Sequence, residues 1–212
     1  MTSKAVPERR ERASSVGAGD DGPAGASHPP DLFTASDVAR FCQVDLKTIH
    51  NWADKGEIPH FRTPGRHLRF RRLDVFDFLR KYGYAIPESF RQSKPRLVLV
   101  EGDAATMATM KRTLSKRFEL TSFQDPLDAL VSVVALQPDA LVIDVDMPGL
   151  DVLKVVARLR SLTATSHIRS FVFTHRSDVR QQAMDAGALD VVSKDDIARL
   201  REVLEQRMGV EY

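Results

Sequence analysis

Residues 33–72 read FTASDVARFCQVDLKTIHNWADKGEIPHFRTPGRHLRFRR and decide how the first half of the chain folds. Thr34 is followed three residues later by Asp37, which is the spacing of a capping box and predicts that a helix begins there. Asp45 is a suitable N-cap for a second helix, which we expect to end at Gly56. Two short amphipathic helices joined by a tight turn indicate a helix-turn-helix.

The second helix is predicted to bury one face and to expose the other. Ile49, Trp52 and Ala53 recur at helical spacing and form an apolar stripe. The polar side chains of the same helix then project away from the core, where they are free to contact base edges in a DNA groove. These candidate base-reading residues are Lys47, Thr48, His50 and Asn51.

A basic hairpin is predicted after the second helix. A Pro-Gly turn at residues 64–65 precedes Leu68 and Phe70, which alternate with polar residues as in a strand with one buried face. From His60 to Arg72 the sequence has five arginines and no acid, which favours contacts with DNA phosphates over an ordinary solvated surface. The expected DNA-contacting residues of this hairpin are Arg62, Arg66, His67, Arg69 and Arg71.

The segment from Leu32 to about Gly83 resembles the excisionase-type, MerR-like winged helix-turn-helix domains. The resemblance rests on the pattern VAR-F-VD-KTI--WADKG-IP-FRTPGRH-RF, in which the second helix and the hairpin, or wing, occur in the family's order and spacing. It implies a small domain that binds double-stranded DNA. Arg66 is a departure, because the family usually has a second glycine at this position.

Charge and composition divide the 212-residue chain into four segments. Residues 1–30 are rich in Ser, Gly, Ala and Pro and are expected to form a disordered tail. Residues 31–83 carry ten basic and seven acidic side chains, which places the excess positive charge in the expected DNA-binding domain. Residues 84–95 are expected to form a linker. No apolar run suits a membrane span or a secretion signal, so we expect a cytoplasmic protein without membrane contacts.

Residues 96–212 alternate five times between short apolar runs and helical stretches. This alternation predicts an α/β fold of the doubly wound (βα)5 type, with a five-stranded parallel sheet and a site at the carboxyl ends of its strands. Polar side chains follow those strands at Glu101, Asp103, Asp144, Asp146, Thr174 and Lys194. Carboxylates beside a lysine and a threonine suit Mg²⁺ binding and transfer of a phosphoryl group to a carboxylate.

This second half resembles the CheY-like receiver domain of response regulators, most specifically in the stretch PDALVIDVDMPGLDVL. The resemblance implies that Asp144 is the phosphoacceptor and that Glu101 and Asp144 hold Mg²⁺. It also implies that Thr174 and Lys194 contact the phosphoryl group.

Four residues depart from the receiver pattern. Gly102 replaces an aspartate that ligates Mg²⁺, and His175 replaces a small residue that leaves room for the phosphate. Val191 replaces an aromatic switch residue, and Asp195 replaces a proline. Two hypotheses stay open for this domain. A histidine kinase phosphorylates Asp144, or the domain is a pseudo-receiver that forms a homodimer or recruits a protein partner.

The sequence therefore predicts a sequence-specific DNA-binding transcriptional regulator with an atypical C-terminal receiver domain. The alternative is an excisionase-like architectural factor that bends DNA during recombination. An enzyme is not expected, because the six histidines are scattered and no Ser/His/Asp set or dense His/Cys set is present.

Overall fold

The first part of the chain builds a three-stranded antiparallel sheet beside three helices in the computed structural model, which describes residues 32–90 and 94–210. Its elements in chain order are β1 (Leu32–Thr34), α1 (Ala35–Cys42), α2 (Leu46–Asp54), β2 (Phe61–Arg62), β3 (Leu68–Arg71) and α3 (Arg72–Lys81). The strands lie in the order β1-β3-β2. The tail expected for residues 1–30 lies outside the described residues.

Local sequence signals set the ends of the first two helices. Thr34 and Asp37 form both halves of the capping box at the start of α1, with hydrogen bonds of 3.2 and 2.9 Å. The Asp45 carboxylate accepts a 2.7 Å hydrogen bond from the backbone N–H of Thr48 and caps α2. Helix α2 ends at Asp54, slightly before the expected Gly56, because Gly56 has a φ of +72° and turns the chain away from the helix.

Strand β1 was not expected from the sequence, because three residues are too few to show a periodic pattern. It pairs with β3, and Phe33 lies opposite Phe70. Both rings are buried in the core of the first domain together with Val38 and Ile49. The sheet therefore ties the segment before α1 to the wing.

The segment expected to be a linker contributes to the core of the first domain. Residues Glu88–Phe90 form a turn of 3-10 helix, and the Phe90 side chain is 1% exposed. Its ring lies 5.1 Å from that of Phe33 and 6.3 Å from that of Phe76. The guanidinium of Arg72 donates to the Phe90 carbonyl, so this buried arginine of the basic segment is a core residue.

The second part of the chain is a doubly wound five-stranded parallel sheet, which confirms the predicted fold class. Its strands lie in the order β5-β4-β6-β7-β8. The elements are β4 (Arg96–Val100), α4 (Ala104–Leu114), β5 (Glu119–Phe123), α5 (Pro126–Leu136), β6 (Ala140–Asp144), α6 (Val152–Ser161), β7 (Arg169–Thr174), α7 (Arg180–Asp185), β8 (Asp190–Ser193) and α8 (Ile197–Met208).

Apolar side chains cover both faces of this sheet. Helices α4 and α8 contribute Met110 and Leu204 to the core on one face. Helices α5 and α6 contribute Val133 and Val156 to the core on the other face. The chain adds β5 on one side of β4 and then β6, β7 and β8 on the other side. The loops after β4 and β6 therefore run in opposite directions and leave a crevice at the carboxyl ends of these strands.

Helix α3 is shared by the two domains. Its residue Leu73 belongs to the core between the five-stranded sheet and helices α4 and α8, while most of its apolar residues belong to the core of the first domain. Arg169 of β7 donates to the Leu73 carbonyl at 3.1 Å and pairs with Asp77 at 2.6 Å. Arg80 donates to the Gln206 carbonyl at 3.2 Å. These contacts hold the first domain against the β7 and α8 side of the receiver.

Within residues 32–90 and 94–210, none of the helices has the length and apolar character that a membrane span requires.

Candidate functional site

The exposed face of α2 is the first candidate site. Lys47, His50 and Asn51 are exposed, and Thr48 is half-buried. The opposite face carries Ile49, which is fully buried, so the polar side chains point away from the core. A helix with a free polar face of this kind fits the major groove of DNA. Contact of these four residues with bases stays a prediction.

The tip of the wing is a tight turn closed by backbone hydrogen bonds. The Arg66 N–H donates to the Thr63 carbonyl at 2.7 Å, and the Thr63 N–H donates to the His67 carbonyl at 3.0 Å. Arg66 has a φ of +62°, which costs a residue with a side chain about 1 kcal/mol or more. The glycine usual in the resembled family would avoid this strain. The turn instead presents an exposed guanidinium at the tip of the wing.

The remaining basic residues of the wing differ in their surroundings. Arg62 pairs with Asp54 at 3.1 Å and so connects the wing to the end of α2. Arg69 is half-buried and donates to the Leu68 carbonyl at 2.9 Å. The guanidinium of Arg71 lies 5.5 Å from the centre of the Phe61 ring. His67 is exposed beside Arg66.

An acidic pocket at the carboxyl ends of β4, β6 and β8 is the second candidate site. The Nζ atom of Lys194 lies 2.6 Å from Oδ2 of Asp144 and 2.9 Å from Oε2 of Glu101. The exposed fractions of the three side chains are 10%, 6% and 1%, respectively. One ammonium therefore bridges both carboxylates in an environment with little water.

The Lys194 ammonium is stabilised by this bridge. Burial acts to lower the pKa of Lys194, but hydrogen bonds to Asp144 and Glu101 outweigh it, and the net effect is a raised pKa. The lysine therefore stays charged at neutral pH. Removing Lys194 would leave two buried carboxylates without a counter-charge, which is strongly destabilising, whereas removing one carboxylate leaves a neutral pair with the other.

Thr174, at the end of β7, is held by a carboxylate other than that of Asp144. Its hydroxyl donates a 2.9 Å hydrogen bond to Oδ2 of Asp146, and the His175 N–H donates to the same oxygen at 3.3 Å. The Arg176 N–H donates to the Thr174 hydroxyl oxygen at 3.0 Å. Asp146, itself an exposed residue, thus provides the acceptor for two donors at the end of β7.

Two of the departures from the receiver pattern contact each other. Nδ1 of His175 lies 3.2 Å from Oδ1 of Asp195, and both side chains are more than half exposed. The imidazole therefore lies across the rim of the pocket towards Asp195. Val191 is half-buried, and its carbonyl accepts a 2.8 Å hydrogen bond from Arg180.

The carboxylates of the pocket make a poor Mg²⁺ site in this arrangement. Glu101 and Asp144 both bind the Lys194 ammonium. The Asp103 carboxylate caps α4 by accepting from the Thr106 N–H at 2.7 Å, which lowers the pKa of Asp103. Gly102 offers no ligand. Across the described part of the chain, His, Cys, Asp and Glu side chains form no group of three or more that could hold a metal ion.

The sequence predicted that Glu101, Asp144 and Lys194 lie at the same edge of the sheet, but it did not indicate two of the contacts found there. The Asp146 bond to Thr174 and the His175 contact with Asp195 join residues far apart in sequence. Asp146 lies two residues after Asp144, and the sequence therefore predicted that it is a polar residue of the pocket. No local pattern indicated that Thr174 is its hydrogen-bond partner.

Profiles of two protein families match the chain. The response regulator receiver domain matches residues 97–205, and a helix-turn-helix domain matches residues 32–83. Since the receiver match covers more than half of the chain, this chain belongs to the response regulator receiver family and carries a helix-turn-helix domain ahead of its receiver. Both resemblances predicted from the sequence are confirmed.

Similar proteins include two mycobacterial regulators. The transcriptional regulatory protein PrrA of Mycobacterium tuberculosis is 32% identical over 123 residues, which are 54% of this chain and 52% of that protein. The response regulator MprA of Mycobacterium avium is 34% identical over 119 residues, which are 52% of this chain and 51% of that protein. The chain thus spans about half the length of the curated relatives it matches.

Solved structures show the same receiver fold. A response regulator of Chloroflexus aurantiacus matches 55% of this chain and 99% of its own, with 21% identity and a TM-score of 0.52. The receiver domain of the sensor histidine kinase PA1611 of Pseudomonas aeruginosa, which holds a coordinated magnesium ion, has the same coverage and identity and a TM-score of 0.50.

Proposed function

We propose that the chain is a sequence-specific DNA-binding transcriptional regulator whose receiver domain acts as a pseudo-receiver, without phosphorylation of Asp144. The observation that carries the second part is the Lys194 ammonium between Glu101 and Asp144. The exposed polar face of α2 and the basic wing support the first part.

Phosphoryl transfer to Asp144 needs a cation that neutralises the charge developing on the transferred group. A receiver with a further aspartate offers Mg²⁺ three carboxylates, whereas this pocket offers two that already bind Lys194. Mg²⁺ must therefore displace the ammonium from both carboxylates and lose part of its own hydration, with one carboxylate ligand fewer to compensate. Mg²⁺ therefore binds Glu101 and Asp144 weakly, and phosphorylation is slow.

Thr174 adds a second obstacle. The resemblance to receivers implies that this hydroxyl contacts the phosphoryl group. Here the hydroxyl and the next N–H already share the Asp146 carboxylate, so a phosphoryl group on Asp144 must compete with an anion of the protein itself. The regulatory signal then comes from partner contacts of the receiver.

The partners we propose are double-stranded DNA, a protein bound through the receiver, and a second copy of the chain. We propose the cytoplasm as the location and no catalytic activity of the chain's own. If Asp144 is phosphorylated after all, the partner is a histidine kinase.

Two measurements on the full chain test this function. Selection from a random duplex pool should enrich a defined sequence, and Asp144→Asn should enrich the same one with similar affinity. Incubation with acetyl phosphate and Mg²⁺ should leave the intact mass unchanged. Rapid, stoichiometric phosphorylation that is lost in Asp144→Asn and retained in Asp128→Asn, an exposed control on α5, contradicts the pseudo-receiver.

The bend angle of the bound DNA distinguishes a transcriptional regulator from the alternative, an excisionase-like architectural factor. A regulator of this kind should bend its site modestly, whereas an excisionase-like factor should bend it strongly, as circularly permuted duplexes report in gels.

A further inference from the structure

A cleft of about 520 Å³ lies between the two domains and shares Arg71 with the expected DNA-contacting residues of the wing. Its volume is within the range of small-ligand pockets. The cleft is lined from both domains. The first domain contributes Pro59, His60, Phe61, Arg71 and Asp74, and the receiver contributes Arg160, Thr163, Ser166 and His167. Any molecule bound there contacts both domains at once.

Two arginines face this cleft from opposite sides. Arg71 ends β3 of the wing, and its guanidinium lies over the Phe61 ring. Arg160 stands in the last turn of α6, and its aliphatic stem packs beside Gly187. Within residues 32–90 and 94–210, no hydrogen bond or ion pair engages either guanidinium. Both retain the planar donor sets that recognise carboxylates and phosphates.

Neutral donors lie between the two arginines. Thr163 and Ser166 contribute hydroxyls to the lining. Both ring nitrogens of His167 are shielded from water and lack a hydrogen-bond partner in the described structure. The pKa of His167 is lowered to about 4, mainly by burial and to a smaller extent by the charges of Arg71 and Arg96. The ring is therefore neutral at pH 7 and has one N–H to donate.

Among the described residues, Asp74 is the one acidic side chain in the lining. Two arginines against one carboxylate leave the cleft with a net positive charge, which an anion of small size would balance. Inorganic ions and organic acids or phosphate esters share this chemistry.

We propose that this cleft is a binding site for a small oxyanion, a carboxylate or a phosphate ester, which Arg71 and Arg160 hold between the wing and the receiver. Because Arg71 belongs to the wing and Arg160 to the receiver, the bound anion fixes the orientation of the wing relative to the receiver. The chain would thereby respond to a metabolite without chemistry at Asp144. The site does not depend on the proposed role of the acidic pocket.

The test uses the full chain at constant ionic strength, with chloride as the reference anion. Inorganic phosphate, glucose 6-phosphate and succinate are titrated by calorimetry, while the imidazole signals of His167 are followed by NMR. Saturable binding of at least one of these anions, with a shift of the His167 signals, is expected. The preferred anion distinguishes a phosphate-type ligand from a carboxylate.

Arg160→Met is the informative variant, because it keeps an aliphatic stem beside Gly187 and removes the charge. It should weaken anion binding about tenfold or more, the loss expected for one charge-assisted pair. Arg158→Met is the matched control, since Arg158 is exposed on the same helix but does not line the cleft. It should bind as the wild type does.

Three results overturn the proposal. The first is the absence of saturable binding for all three anions. The second is an equal loss in both methionine variants, which reveals a general effect of surface charge. The third is a large loss of DNA affinity in Arg160→Met without any loss of anion binding, which assigns this arginine to the DNA surface.

Discussion

The hydroxyl of Thr174 donates a 2.9 Å hydrogen bond to the carboxylate of Asp146. The same carboxylate oxygen accepts from the His175 N–H at 3.3 Å, so an acidic side chain stabilises the end of β7 where a phosphoryl group would act in an ordinary receiver. Each carboxylate of the pocket thus has a partner within the protein, because Lys194 pairs with Glu101 and Asp144.

Removing the Asp146 carboxylate should loosen the end of β7. In Asp146→Ala, the His175 N–H loses its acceptor, and we expect its hydrogen exchange to accelerate about tenfold, in line with the strength of a hydrogen bond to a charged group. Asp195→Ala is the control, because it removes the contact with the His175 ring and leaves the backbone hydrogen bond intact. Equal exchange rates in both variants would show that Asp146 does not hold this segment.

Restoring a carboxylate at Gly102 should create a metal site. A Cβ added there meets only the Met147 Cε atom, at 3.6 Å, so Gly102→Asp is sterically tolerated. With Asp144 and Glu101 it supplies a third carboxylate, and the Mg²⁺ affinity measured by calorimetry should rise about tenfold or more, because each ligand adds to a charge-dominated site. The double variant Gly102→Asp/Asp144→Asn should lose the gain. An unchanged affinity in Gly102→Asp would disprove the explanation.

The wing and α2 should affect DNA binding in different ways. Arg62→Ala removes an exposed cation and should weaken binding to every duplex, reducing the salt slope by about 0.9 for each phosphate that is no longer neutralised. His50→Ala and Asn51→Ala should instead change the preference among sequences. Binding is measured across a salt series on matched and scrambled duplexes. Arg199→Ala, exposed on α8, should match the wild type, and a salt slope unaffected by Arg62→Ala would contradict the role of the wing.

Phe90 should be as important for stability as any residue of the helix-turn-helix. Its side chain is 1% exposed among Phe33, Phe41 and Phe76, so Phe90→Ala should lower the free energy of unfolding by about 3–5 kcal/mol. Phe61→Ala is the control, because Phe61 is 37% exposed and should cost far less. Denaturant unfolding measures both, and similar losses would refute the assignment of Phe90 to the core.

Asp74 should make stability depend on pH. Burial raises its pKa to about 6, against the opposing charges of Arg169 and Arg71, while the unfolded chain has the ordinary value of 3.8. The folded state therefore binds the proton more tightly than the unfolded chain does. The contribution of Asp74 to the free energy of unfolding is greatest below pH 4 and falls by up to about 3 kcal/mol as the pH rises through 6.

In Asp74→Asn this loss disappears, so the variant should gain stability relative to the wild type between pH 4 and pH 6 and keep that gain at pH 7. Unfolding is measured in buffers without phosphate or carboxylate ions, so that the interdomain cleft stays free of buffer anions. Asp128→Asn serves as an exposed control. Parallel stability curves for Asp74→Asn and the wild type would show that Asp74 ionises normally.

Most elements of the structure followed from the sequence, because their signals lie within a few residues of each other. Capping pairs such as Thr34 and Asp37 act across one helical turn, and the strand-helix alternation of residues 96–212 is visible in the order of apolar runs. The polar residues at the strand ends followed from the same alternation, since parallel strands place their carboxyl ends at one edge.

Only the tertiary structure decided which of these residues pair. Lys194 and Glu101 are 93 positions apart, and Arg169 and Asp77 are 92 apart, so no local pattern links them. Phe90 lies within a segment that has the composition of a linker, and its burial depends on the space that Phe33 and Phe76 leave between them. Periodicity reports which face of an element is buried, whereas the partner across a pocket or a domain boundary is set by packing and charge compensation among distant segments.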